Sequence, residues 1–333
     1  MGRYTSDDNI VTLYHESGTY GTSSGNGVWI GQISEHNLTD DEGYARNRYL
    51  GTGSRTSVAY EQGLNTVEGT LTFRVQDWKV PFYAIGSVCD TSGTNCVHTA
   101  TEILTGGRQS AFTSGPFNPP FSFTIEDSKQ TYGTRANFNR TINGAVPNTV
   151  TITMSQGERI SAECGYVAQA ATYSSGTPAG ASVTAMSGDT FQWGNVTVSL
   201  GGTTYKAIKE VTFEINNNIE GAFYLNGSRI SDVPTVGNKD YTLTLTLDAY
   251  HTEMQQLYKN YYKSGQTFNA EIDLEASSTS IGSKHVEFYL SGCRVISADI
   301  PSPSEGVNEA TFEIAAQNVN ATAWDRTLKY NPW

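Results

Sequence analysis

Charge is scarce in this chain. Asp, Glu, Lys and Arg make up 16% of its 333 residues, and acids outnumber bases 33 to 21, a formal charge of −12. Soluble domains usually carry about 25%. The polar bulk is neutral instead: Thr, Ser, Asn, Gln and 33 glycines. A nucleic-acid reader needs a basic stripe to neutralise phosphates, and this composition does not suit one. It leaves room for an acidic protein that lies beside DNA without gripping it. Long apolar runs are missing too. No window approaches the roughly 20 apolar residues that span a bilayer, and the opening MGRYTSDDNI lacks the apolar stretch of a signal peptide. Ser6 fits a myristoylation pattern loosely, but an ordinary start is the simpler reading.

Cysteine is nearly absent. Four in a chain this long do not make a disulfide framework. Cys89 and Cys96 flank the turn-rich DTSGTN and could pair in an oxidising setting, whereas Cys164 and Cys293 sit in strand-like runs and read as buried thiols. Catalytic patterns are equally thin. The five histidines form no metal-type pair; Cys89, Cys96 and His98 lack a fourth ligand for zinc. Gly-x-Ser-x-Gly does not occur, and the glycine-rich GTSSGNG and GTGSR lack the Lys-Ser/Thr of a phosphate loop. The Asp40–Asp41–Glu42 run reads as a solvated loop rather than a glycosidase pair. Asn-x-Ser/Thr triplets at Asn37, Asn139, Asn195, Asn226 and Asn320 are what chance gives in so Asn- and Thr-rich a chain. Enzyme chemistry, cofactors and metals are therefore not expected.

What is present is alternation. VEGTLTFRVQ sets Val67, Gly69, Leu71, Phe73 and Val75 on one face and Glu68, Thr70, Thr72, Arg74 and Gln76 on the other. YTLTLTLD repeats it, with Tyr241, Leu243, Leu245 and Leu247 against Thr242, Thr244, Thr246 and Asp248, and VTFEIN follows suit. Period two predicts strands with one packed and one polar face, and the threonine rows suit a pleated surface better than a helix. One segment breaks the pattern. Tyr250, Met254, Leu257, Tyr258 and Tyr261 form a helical stripe, predicting a helix over about 249–263, with Asp248 at its start and Gly265 after its end. The corresponding DWKVPFYAIG is shorter, and Pro81 limits its helix.

The chain also repeats itself. YLGTGSR at Tyr49–Arg55 returns as YLNGSR at Tyr224–Arg229, aligning Gly53, Ser54 and Arg55 with Gly227, Ser228 and Arg229. Each alternating strand ends in an Asp, Asp77 or Asp248. EHNL before the first phrase is paired with NNNI before the second. Residues 142–169 lie on 290–317 without a gap, matching Gly144 to Gly292 and Ala168-Gln169 to Ala316-Gln317. The chain thus reads as two copies of one mainly β unit: 1–172, with an insertion at about 88–118; a linker at 173–184; a second copy at 185–317; and a C-terminal arm at 318–333. Exposed sheet edges invite pairing, and a duplicated unit that pairs its hairpins with its neighbours' would remove them by closing a ring.

EGTLTFRVQDWKVPFYAIG resembles the second inner-barrel strand and following helix of tailed-phage tail tube proteins, and VTFEINNNIEGAFYLNGSRISDVPTVGNKDYTLTLTLDA is similar to the same family more closely, in the stretch that forms its long lumen-lining hairpin. The order of these features carries the resemblance, which covers most of both copies and is weak over 88–118. It implies two tandem tail-tube-type β-sandwich or barrel domains, each with a long lumen-lining hairpin and one helix. It further implies a virion structural protein, made in the host cytoplasm, whose rings stack with one another and with other tail proteins into the conduit for the genome. DNA would pass without specific binding, and no membrane is involved. Two units per chain imply a trimeric ring with pseudo-sixfold symmetry; a hexamer with one unit outside is the alternative. The polar rows Thr66, Glu68, Thr70, Thr72, Arg74 and Gln76, and Thr242, Thr244, Thr246 and Asp248, would face the lumen. Two other readings remain: the tube of a contractile injection system, and a secreted two-domain carbohydrate-binding module using Trp29, Trp78 and Trp193.

Overall fold

The computed structural model describes residues 9–16, 20–23, 27, 30–47, 59–91, 96–101, 122–129, 137–176, 191–225, 228–249, 252–275, 285–302 and 308–325. The first half contains β1 (Asn9–His15), β2 (Gly31–Asp41), β3 (Tyr44–Asn47), β4 (Ala59–Gln62), β5 (Thr66–Val75), α1 (Lys79–Ile85), β6 (Ser87–Thr91), β7 (Cys96–Thr101), β8 (Phe123–Lys129), β9 (Phe138–Ser155), β10 (Ser161–Ala168) and β11 (Ala170–Ser174). The second contains β12 (Val196–Leu200), β13 (Thr203–Tyr205), β14 (Ile208–Asn216), β15 (Ile219–Ala222), β16 (Asp232–Val236), β17 (Asp240–Asp248), α2 (Thr252–Gln256), β18 (Phe268–Glu275), β19 (His285–Asp299), β20 (Glu309–Ala316) and β21 (Asn318–Asp325).

Eight strands pair edge to edge, all antiparallel, in the order β2–β5–β10–β9–β14–β17–β20–β19. The alternation in sequence is the alternation in burial. Leu71, Phe73, Leu243, Leu245 and Leu247 are fully buried, while Thr70, Thr72, Thr242, Thr244 and Thr246 are only partly covered. The long strands β9 and β19 serve two sheets. Their first halves pair with β8 and β11, and with β18 and β21, in sheets flanking the eight-stranded one. Each changes sheet at a glycine in the left-handed region, Gly144 at φ 66° and Gly292 at φ 65°. A Cβ on either would collide with its neighbours: Tyr20 and Gln169 in one case, Gln317 in the other. Beside Gly144 the buried Glu16 carboxylate accepts from its backbone N–H (2.7 Å), from Ser122 Oγ and Thr124 Oγ1 (2.6 Å each) and from the Gly21 N–H (2.9 Å).

Within the eight-stranded sheet the pairing of the two halves matches strand for strand. Phe73 faces Ala162 as Leu247 faces Ala310. Ile33 faces Phe73 as Ile208 faces Leu247, and both strands bulge just after, at Ile33/Glu35 and Ile208/Glu210. The hairpins agree: Tyr44 faces Gln62, and Ile219 faces Val236. The offset is 175 before that hairpin and 174 after it, so the repeated phrase, seven residues long in one copy and six in the other, holds the one-residue difference. This register corrects two alignments made from sequence. Leu247 lies on Phe73, so Asp248 corresponds to Arg74, not Asp77; and EHNL lies on Glu210–Phe213, not on NNNI.

Three further expectations change. The helix after β17 begins at Thr252 and widens into a π-helix over Leu257–Lys263, which the helical stripe alone does not reveal. Residues 318–325, expected to start an arm, form β21, because Val319 and Ala321 bury against β19 while β7 pairs along the other edge. β7 belongs to the expected insertion, so that segment stitches the first half to the last strand of the second. The expected linker, insertion and arm otherwise fall largely outside the described residues. One core runs through both halves. Phe288 of β19 packs against Trp78 beside α1 (5.4 Å between centroids), Phe82 within α1 (6.3 Å) and Phe213 of β14 (5.5 Å).

A polar cluster closes the core under β2. His36 Nδ1 lies 3.2 Å from Asp127 Oδ2, its Nε2 is 2.8 Å from Tyr166 OH, and Arg140 pairs with Asp127. Burial alone would raise the Asp127 carboxyl, but the His36 and Arg140 contacts outweigh it and hold it below its ordinary value. A depressed folded-state value stabilises the fold above the unfolded carboxyl's titration near pH ~4, and that stability disappears as pH falls through the folded value. Urea midpoints measured between pH 6 and 2 should therefore fall steeply in the native protein and more shallowly in Asp127→Asn. The two sheet faces should also differ: Leu245→Ala should cost about 2–5 kcal/mol, while neighbouring Thr244→Ala should stay within about 0.5 kcal/mol, both read from denaturant unfolding.

Candidate functional site

The open face of the eight-stranded sheet is an ordered polar surface built from rows on several strands. Thr66, Glu68 and Arg74 on β5 are exposed and Thr70 and Thr72 half-buried; Thr242, Thr244, Thr246 and Asp248 on β17 are all half-buried. The pairing register extends these rows across the sheet. Thr70 faces Asn37 and Gly165, Thr72 faces Glu35 and Glu163, Thr242 faces Glu214, and Thr244 faces Thr212 and Glu313. The result is a threonine field seeded with carboxylates. Gln76 leaves the row. β5 ends at Val75, where the chain turns to meet Ile30, whose carbonyl accepts from Gln76 N (3.4 Å) and Asp77 N (3.1 Å), and Gln76 is buried.

The second feature is the seam between the halves, β9 against β14, running from Thr149 opposite Asn216 to Ser155 opposite Glu210. Val150, Ile152 and Met154 meet Ile215, Phe213 and Val211 along it, all buried. At its end Asn217 N donates to Asn148 O (2.8 Å), and Asn217 Nδ2 donates to Pro147 O (2.9 Å) and Ala84 O (3.1 Å). Lys239 Nζ donates to Ile85 O (2.6 Å). Second-half side chains thus satisfy the last carbonyls of α1, where a cation is also favoured by the helix dipole.

Arg229, from the repeated phrase, extends the seam. Its Nε donates to Gly63 O (2.8 Å), its guanidinium also reaches Glu42 O (2.6 Å) and Glu42 Oε2 (3.0 Å), and its own carbonyl accepts from Asn65 N (2.9 Å). Pattern reading missed this role, because nothing in YLNGSR names a partner 187 residues away. Ser228 is exposed; Gly53, Ser54, Arg55 and Gly227 lie outside the described residues. Around the phrases Tyr44, Tyr60, Leu64, Tyr224, Leu225 and Ile230 are exposed.

Other candidates fare less well. The β6–β7 register sets Cys89 opposite Thr99, so Cys89 and Cys96 are not cross-strand neighbours; their side chains, like that of His98, lie outside the described residues. Cys164 and Cys293 are buried free thiols, and burial raises both, Cys293 to about 11. Trp78 is packed in the core and cannot serve as a sugar platform; Trp193 lines a cavity of about 310 Å³ with Met154 and Tyr205, and Trp29 is outside the described residues. Glu271, Asp273 and Glu287 offer carboxylate oxygens within 4.8 Å of one another, and His285 Nε2 lies 2.7 Å from Asp273. Partial burial, and then repulsion from Asp273 and Glu287, raise the Glu271 carboxyl. No helix among the described residues is long and apolar enough to cross a membrane.

Arg229 binds an exposed corner rather than the core, so its loss should be felt locally. In Arg229→Ala, amide exchange at Gly63–Asn65 should accelerate about tenfold, equivalent to about 1.4 kcal/mol of lost protection, with the global urea midpoint nearly unchanged.

Among solved structures, one similar chain is Hcp1 from Flavobacterium johnsoniae, at 16% identity over 38% of this chain and 93% of that one, with a TM-score of 0.24. Another comes from the sixfold-symmetrised baseplate of the anti-feeding prophage, at 11% identity over 42% of this chain and 96% of that one, with a TM-score of 0.29. No curated protein matches. The family model described as phage tail tube protein matches residues 8–323, nearly the whole chain. That family is structural rather than enzymatic, and its members are components of the virion tail. A sheet with one threonine-rich polar face and one packed face suits a wall, and the chain belongs to the phage tail tube protein family.

Proposed function

We propose that this protein is the ring subunit of a tail tube, that the chain is a duplicated tube unit, and that three chains close a ring of pseudo-sixfold symmetry whose stacked copies conduct the genome. One observation carries the reading: the eight-stranded sheet consists of two four-stranded sets of matching topology, joined by strand pairing and ending in β2 on one side and β19 on the other. The same join made between chains would continue the sheet until it met itself. Three chains bring three times eight strands, and a barrel of that size, with strands about 4.8 Å apart and tilted about 40°, is about 50 Å across between backbones. Side chains narrow the bore to somewhat less, still wide enough for a duplex.

The open face then lines the channel, with Thr66, Glu68, Thr70, Thr72 and Arg74 alternating around the ring with Asp240, Thr242, Thr244, Thr246 and Asp248. Threonine hydroxyls stay hydrated and offer phosphate no charge to hold it. Carboxylates such as Glu68, Glu163, Glu214, Asp248 and Glu313 repel it. The burial of Leu243, Leu245 and Leu247 on the opposite face supports this orientation. A hexamer with one unit outside the wall is disfavoured, because both units contribute four strands to one sheet.

Cryo-electron microscopy of assembled tubes should find three chains per ring, with a heavy-atom maleimide on Thr244→Cys appearing in the channel. Six chains per ring, or density showing Leu243 in the bore, would overturn the reading. The pair Glu68→Lys and Asp248→Lys should slow DNA release from particles at low salt, with recovery as salt rises.

A further inference from the structure

The seam inside the chain is a template for the one between chains. We infer that the outer edge of β19 pairs antiparallel with the outer edge of β2 of a second copy of this chain, in a defined register: Ser297 opposite Asp41, Ala298 opposite Asp40, Asp299 opposite Thr39 and Ile300 opposite Leu38. The inference rests on the ring reading above and adds the contact that closes it.

The register comes from superposing one seam on the other. β9 corresponds to β19 at an offset of 148: Ala162 and Ala310 face Phe73 and Leu247, and the extra residue of the bulge is Asn148 in β9 and Ile296 in β19. β14 corresponds to β2 at an offset of 175, fixed by the shared bulge. The pairs Thr149–Asn216, Val150–Ile215, Thr151–Glu214 and Ile152–Phe213 of the internal seam then map onto the four pairs named.

Three observations fit that mapping. The first is exposure. Ile152 and Phe213 are fully buried at the internal seam, whereas Ile300, at the position of Ile152, is 37% exposed and Leu38, at the position of Phe213, is only partly covered. An isoleucine and a leucine wait at matching heights on the two edges, and among the described residues no strand covers either edge. The second is backbone parity. Asn217 N donates to Asn148 O, and Gln156 N donates to Lys209 O, so even-numbered β9 residues bond across the seam. The same parity in β19 aims Ala298 and Ile300 at the neighbour. Pro301 falls on the odd set, so its missing N–H costs the intermolecular ladder nothing. The third is charge. Thr151 faces Glu214 across the internal seam; across the closing one Asp299 faces Thr39, again one acid and one threonine, so no like charges stand directly opposite.

The test is disulfide trapping in the full chain. Thr39 and Asp299 form a non-hydrogen-bonded pair in this register, with Cα atoms about 4.5 Å apart, within disulfide reach. Thr39→Cys with Asp299→Cys should give covalently closed trimers under mild oxidation, judged on non-reducing gels against each single variant. Thr39→Cys with Ser297→Cys, a diagonal pair about 7–8 Å apart, should link poorly. Rings visible by negative stain that link through the diagonal pair, or through neither, overturn the register and leave the ring reading standing. Absence of rings in the unmodified protein overturns both. Ladders continuing to six chains keep the edge pairing and overturn the threefold count. Ala298→Pro removes an N–H aimed at the neighbour while sparing the bonds to β20, so it should abolish rings and leave a folded monomer. Rings formed by that variant would also overturn the proposal.

Discussion

The pairing of β9 with β14 is the constraint on which the rest of the molecule depends. It turns two sets of four strands into one sheet, and its seven residue pairs fix the phase of every side chain on either side of it. A slip of one residue would carry Val150, Ile152 and Met154 to the polar face and bring threonines into the core. The core does not permit that. Phe213, on the seam strand itself, packs on Phe288, and Phe288 packs on Trp78 and Phe82 from the other half. The asparagine and lysine bonds to the end of α1 then lock the seam along its length as well as across it.

Much of this could be read from the letters. Strict alternation over Val67–Val75 and Tyr241–Asp248 identified the faces correctly, because a half-buried strand leaves its period in the sequence whatever it pairs with. Gly144 with Gly292, and Gln169 with Gln317, matched because those positions share a steric need: a left-handed glycine with a glutamine packed over it. The Asp77–Asp248 match failed for the complementary reason. Two aspartates near strand ends look alike, but only the cross-strand partner reports register, and the partner of Leu247 is Ala310 as that of Phe73 is Ala162. The seam was illegible for the same cause. Thr149–Ser155 alternates like every other strand here, and nothing local says that its free edge meets β14. The π-helix, the strand at 318–325 and the reach of Arg229 to Glu42 are likewise set by packing partners distant in sequence.

Joining two wall units in one chain changes the thermodynamics of assembly on the ring reading. Each association of free bodies costs several kcal/mol of translational and rotational freedom. Building the wall from three chains rather than six removes three of those costs, and the connecting segment holds the internal seam at high effective concentration. Seams freed from identity can also specialise. The internal one carries Asn148, Asn217 and Lys239, where the matched positions of the closing one are Ile296, Glu42 and Asn65. Asn217, donating to buried carbonyls, and Asn148, accepting from the Ile219 N–H, suit a junction formed once, during folding, when every polar group must find its partner within the chain. An exposed isoleucine, a leucine edge and a carboxylate suit one that must stay soluble before it closes. Charge beside an open strand edge is the usual protection against premature pairing. Asp40, Asp41 and Glu42 stand at that edge, and crowding by burial and neighbouring acids already raises the Asp40 carboxyl. The run that reads in sequence as a solvated acidic loop thus ends β2, where, on the ring reading, it guards the edge proposed to close the ring.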